Sequence, residues 1–133
     1  MIYALDTNII SYIMNGNPAL LEKLETELRA GSKVIIPLMV YYEVRRGLNA
    51  KNAVNKSIIF EGLCKRLKVH NLTVIDMDNA ASIYVINKNK GRPMDDVDLL
   101  VAAQCVTNGY ILVTHNTRHF NNVNNLKTVD WVE

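Results

Sequence analysis

Three carboxylates in this chain stand where an α/β domain keeps its chemistry. Asp6 follows the apolar run Ile2-Tyr3-Ala4-Leu5, and Glu43 lies in the helical stretch after Val34-Ile35-Ile36 and Pro37. Asp98 closes the acidic group Asp95-Asp96-Val97-Asp98, which opens an apolar helical stretch. Singly, each has an ordinary structural role. Asp6 suits a helix N-cap. Asp98 in a first turn is favoured by the helix dipole, by about 0.3–1 kcal/mol. Glu43 borders the apolar stripe of Val40, Val44, Gly47 and Leu48, where a carboxylate needs a positive or hydrogen-bonding partner. Arg45 and Arg46 are near in sequence but are expected to point elsewhere on the helix. Together, three acids from three separate elements repel and cannot all ionise without compensation. A divalent cation supplies it, and oxygen donors without thiolates select a hard ion, Mg²⁺ or Mn²⁺. His115 and His119 have i,i+4 spacing, but no HExxH pattern or Cys partner accompanies them to favour zinc.

The elements that must position these acids alternate. Short strands are expected at Ile2–Leu5, Val34–Ile36, Leu72–Ile75 and Tyr110–Val113, with Thr128-Val129 as a fifth strand at an edge. Between them the spacing predicts helices through Ile9, Ile10 and Ile13, from Pro18 to Gly31, and over Leu38–Asn49, Lys51–Val69, Asn79–Lys90 and Asp96–Asn108. Strands apolar at successive positions are buried on both faces. Separated by helices, they imply a three-layer α/β/α domain around a mostly parallel sheet of four to five short strands. Such sheets bind ligands beyond the carboxyl ends of their strands. Asp76 and Asp78, after Leu72–Ile75, read as capping residues.

With 133 residues, 49% of them apolar, the chain makes one domain with a sizeable core and is not disordered. A formal charge of +2 does not by itself announce a nucleic-acid binder. Cys64 and Cys105 sit in apolar-patterned stretches and read as buried free thiols. The longest apolar run, Val34 to Tyr42, is interrupted by Pro37 and is too short to span a bilayer. Asp6 interrupts any signal-peptide pattern, so a soluble cytoplasmic protein is expected.

Leu5-Asp6-Thr7-Asn8-Ile9, the acid at 43, Gly91-Arg92-Pro93 before Asp98-Leu99-Leu100-Val101-Ala102-Ala103, Val113-Thr114-His115-Asn116-Thr117-Arg118-His119-Phe120 and Val129-Asp130-Trp131 together resemble PIN-domain ribonucleases, more closely the VapC toxins of bacterial toxin–antitoxin pairs. The likeness runs over nearly the whole chain. It implies a Mg²⁺- or Mn²⁺-dependent endoribonuclease. The acids matching Asp6, Glu43 and Asp98 would hold the metal, with Asn116 at a fourth position where many relatives carry Asp. Thr114 matches a supporting hydroxyl, and Asn8 a polar residue that orients the first acid. The resemblance also implies a VapB-type antitoxin partner, a homodimer and, at family level, transfer RNA as substrate. Asn at 116 offers a carbonyl oxygen but one negative charge fewer. Asp95 stands where close relatives often have Gly; it could restore charge nearby, and a helix cap is the simpler role.

RNA would need cations outside the acidic pocket. Between Val44 and His70 stand Arg45, Arg46, Lys51, Lys56, Lys65, Arg66 and Lys68 against Glu61 alone, and Lys88, Lys90 and Arg92 lead into Asp98. Tyr12, Tyr41 and Tyr42 could stack on bases, though core packing suits most of them. Three other functions place acids at the same sheet edge. A dehalogenase-like phosphatase needs a second Asp where Asn8 stands, and a receiver domain needs a Lys near Thr114-His115-Asn116. A non-catalytic RNA- or protein-binding module is the third.

Overall fold

In the computed structural model, which describes residues 1–132, five parallel strands form one sheet in the order β3-β2-β1-β4-β5. These are β1 (Ile2–Leu5), β2 (Lys33–Pro37), β3 (Val69–His70), β4 (Ile111–Val113) and β5 (Lys127–Val129). Ala4 and Leu5 are both sealed from solvent, as are Val34, Ile35 and Ile36. Neighbouring side chains on a strand point to opposite faces, so both faces of the sheet are covered. The cover comes from α1 (Thr7–Met14), α2 (Pro18–Arg29), α3 (Leu38–Ala50), α4 (Val54–Leu67), α5 (Val74–Asn89) and α6 (Asp96–Asn108). Their apolar stripes behave as the spacing requires: Ile9, Ile10, Ile13, Leu20, Leu24, Val40, Val44 and Leu48 all enter the core. Gly109, at φ 70°, closes α6 in the left-handed conformation that leads directly into β4.

The third strand is not where the sequence suggests. Leu72–Ile75 has strand-like composition, but Thr73 caps α5 instead. Its hydroxyl accepts from the Asp76 backbone N–H at 3.2 Å, and the Asp76 carboxylate accepts from the Thr73 N–H at 2.8 Å. Val74 and Ile75 then lie in the first helical turn, 77% and 64% exposed. The strand is Val69-His70, where the spacing predicts a helix ending at Val69. Lys68, at φ 70°, breaks α4, and the chain then pairs Val69 with Ile36 and His70 with Pro37. Likewise α4 begins at Val54 rather than Lys51, after a turn in which Asn52 has φ 50°.

The strand order creates the crevice that matters. From β1 the chain moves outward through β2 and β3, then returns to the other side of β1 for β4 and β5. The direction reverses between β1 and β4, and an open parallel sheet binds its ligand beyond the carboxyl ends at such a reversal.

Candidate active site

Asp6 and Thr114 are the first residues past β1 and β4. The Asp6 N–H donates to the Val113 carbonyl at 2.9 Å, and the Thr114 N–H donates to the Val129 carbonyl at 3.0 Å. The sheet ladder thus holds both backbones one residue beyond the strands. The Thr114 hydroxyl donates to Asp6 Oδ2 at 2.8 Å, while Asp6 Oδ1 accepts from the Thr7 N–H at 2.9 Å, capping α1. Asp6 therefore fills its structural role and still faces the crevice. Burial pushes its pKa up, the bonds from Thr114 and Thr7 pull it back, and the charge of Glu43 pushes it up again.

Glu43 reaches the same place from α3, where its Oε1 accepts from the Thr7 hydroxyl. Its Oε2 lies 3.8 Å from Arg46, so that arginine does face it, contrary to the sequence expectation, through a long and half-exposed pair. Asp95 caps α6, its Oδ1 accepting from the Asp98 N–H at 3.0 Å. Asp98, in the turn so held, has a pKa raised to about 6, by burial first and then by the charges of Asp95, Asp6 and Glu43. His119 Nδ1 stands 3.6 Å from Asp98 Oδ2. Asn8 Oδ1 accepts from the His115 N–H at 3.2 Å, tying the segment after β4 to the start of α1.

These groups share one cleft of about 330 Å³, lined by Asp6, Thr7, Asn8, Glu43, Asp95, Asp98, Asn116, His119 and Phe120. Thr114 stands fully buried behind it, and the Asn116 N–H donates to its hydroxyl at 3.0 Å. No arginine among the described residues lines the cleft. Among the described residues, no three Asp, Glu, His or Cys side chains are drawn into a closed ion cage. The donor set still fits Mg²⁺, which keeps several waters and is usually held by one or two carboxylates together with substrate phosphate.

The basic residues separate into groups. Arg92 lines an adjoining cleft that shares Asp98. Lys88 lies 5.9 Å from the ring of Tyr84, and Lys90 caps the end of α5. Arg45 stands apart, over the rings of Tyr41 and Phe60 and 3.8 Å from Glu61. Arg66 is held by both oxygens of Glu25, at 2.6 and 2.8 Å. Thr7, His119, Arg118 and Asn122 line the clefts without having been singled out as site residues in the sequence. Thr7, Arg118 and His119 lie within the stretches that carry the family resemblance, and Asn122 just beyond them.

A family model described as the PIN domain matches residues 3–126. This chain belongs to the PIN domain family. The match runs from within β1 to the threshold of β5 and so includes every acid of the cleft. This PIN domain is 28% identical to ribonuclease VapC1 of Haemophilus influenzae, across all of both chains. It is 28% identical to the tRNA(fMet)-specific endonuclease VapC of Shigella flexneri, across 97% of each. Its fold superposes on a chain of VapBC2 from Rickettsia felis, solved bound to a promoter DNA fragment. The TM-score is 0.92 at 25% identity, over 98% of this chain and 99% of that one. VapBC-1 from nontypeable Haemophilus influenzae gives 0.89 at 27% identity over the whole of both.

Proposed function

We propose that this PIN domain is a Mg²⁺- or Mn²⁺-dependent endoribonuclease toxin that cuts transfer RNA in the cytoplasm and is restrained by a VapB-type antitoxin. The observation that carries this reading is the convergence of Asp6, Glu43 and Asp98 on one cleft at the reversal point of the sheet. The relatives named ribonuclease and endonuclease, and the VapBC complexes of matching fold, support the activity and the partner. No helix is long and apolar enough to cross a membrane among the described residues. Homodimerisation belongs to the same reading, and sedimentation velocity tests it directly.

Asp6, Asp98 and Glu43 would hold the ion, which when bound lowers the pKa of water and offsets charge on phosphoryl oxygens. Thr114 and the Thr7 N–H fix the Asp6 carboxylate in one orientation. The Thr7 hydroxyl does the same for Glu43, and the Asp95 cap sets the turn that carries Asp98. Glu43 or Asp98 would orient the attacking water. Asn116 can present a carbonyl oxygen from the cleft wall. Asn8 is committed to the His115 backbone and has no carboxyl proton to give, which disfavours a phosphatase of the dehalogenase type.

The purified chain should cleave RNA with Mg²⁺ or Mn²⁺ and stop in EDTA. Asp6→Asn and Asp98→Asn should each lower the rate by a factor on the order of a hundred or more. If both variants cleave as well as the wild type, this cleft is not the active site. Sequencing RNA 5′ ends after expression without antitoxin should place the cuts in transfer RNA. The loss of one charge at Asn116 favours a second reading, a binding module with little activity. Metal-dependent cleavage by the wild type excludes it.

A further inference from the structure

A cleft of about 260 Å³ opens beside the acidic one and shares Asp95, Asp98 and His119 with it. Arg92, Arg118 and Asn122 form much of the rest of its wall. Arg92 comes from the loop between α5 and α6, and Arg118 from the 3-10 turn Thr117–His119 after β4. Two separate segments thus bring arginines to one small space. Every other arginine of the chain is engaged: Arg29 donates to the Glu25 carbonyl, Arg66 pairs with Glu25, Arg45 lies over two rings, and Arg46 lies beside Glu43. Arg92 and Arg118 make no ion pair among the described residues, although two carboxylates line the same cleft.

An exposed guanidinium left unpaired beside carboxylates presents a planar set of donors suited to the oxygens of a phosphodiester. We propose that Arg92 and Arg118, with the Asn122 amide, seat the backbone phosphate next to the one cut in the acidic cleft. The inference rests on the nuclease reading for the direction of the strand. The shared wall of Asp98 and His119 makes the two clefts confluent, so a strand can lie across both. The acidic cleft needs such help, because its carboxylates repel RNA wherever their charge is not offset. Both arginines are positioning residues under this assignment, and they read the backbone rather than the bases.

The test compares Arg92→Ala/Arg118→Ala with Lys33→Ala/Lys127→Ala. Lys33 and Lys127 are exposed at the amino ends of β2 and β5, on the opposite edge of the sheet, so the control removes the same charge far from the site. Cleavage kinetics give KM and kcat. Binding of a short fluorescein-labelled single-stranded RNA of mixed sequence, in the Asp6→Asn background across a salt series, gives affinity without cleavage. The arginine pair should raise KM and weaken binding roughly tenfold, leave kcat within about twofold, and flatten the salt slope by about 0.7, the value for one lost phosphate contact to a single strand. Arg92→Lys/Arg118→Lys should recover part of the loss. Equal effects from both alanine pairs, or a fall in kcat with KM and binding unchanged, would overturn the proposal. Unaltered RNA binding would also overturn it. If the wild type does not cleave but the arginine pair still weakens binding selectively, the nuclease reading fails and the phosphate seat stands.

Discussion

Asp98 carries a cost that the folded chain accepts for its site. Its pKa is raised from the ordinary carboxylate range to about 6, so the folded state holds this proton more tightly than the unfolded one. The associated stability is complete below the unfolded value and is lost as pH rises through about 6. Without divalent metal, Asp98→Asn should therefore be more stable than the wild type at pH 8, by about 1–2 kcal/mol. The advantage should shrink towards zero below pH 4, and calorimetry at both pH values measures it. A wild type as stable as the variant at pH 8 would contradict this account. Thr114 has the opposite standing. Thr114→Val keeps the shape but leaves Asp6 Oδ2 without its 2.8 Å donor in a buried place, which should cost about 1–3 kcal/mol in urea unfolding. Thr114→Ser should restore most of it.

Among the elements, α5 shows how local chemistry overrules composition. Leu72-Thr73-Val74-Ile75 reads as a buried strand by residue type, yet the reciprocal bonds of Thr73 and Asp76 start a helix there. Thr73→Ala should cost about 1 kcal/mol through the lost cap. Val74→Ala should be neutral or slightly stabilising, because Val74 is 77% exposed in a first turn and alanine favours helix. Thermal melts of the two variants distinguish helix from strand, since a buried strand valine would make the second change the expensive one. The capping pair was present in the sequence, but its signal was weaker than four strand-prone residues in a row. At three other helix ends the local pattern sufficed. The caps of α1 and α6 at Asp6 and Asp95, and the end of α6 at Gly109, all lie where residue type alone places them.

At the scale of the whole molecule, the acids join α1, α3 and α6 around one cleft, so an ion bound there ties separate parts of the domain together. Mg²⁺ or Mn²⁺ at about a hundred times its dissociation constant should stabilise the wild type by about 2.7 kcal/mol. Asp6→Asn should lose most of that increment, and a melting midpoint that no divalent cation moves would speak against the metal assignment. What the amino-acid order determined by itself was the set of short apolar strands, the helical stripes and the three carboxylates at their ends. These are local, set by side-chain period and by residues capping their own neighbours. Only the tertiary structure decided that Thr114 bonds to Asp6 across 108 positions and Thr7 to Glu43 across 36. It alone placed β3 at Val69-His70 and brought Arg92 to the same cleft as Arg118. Contacts between distant segments depend on how the sheet orders its strands, and no local pattern of side chains carries that information.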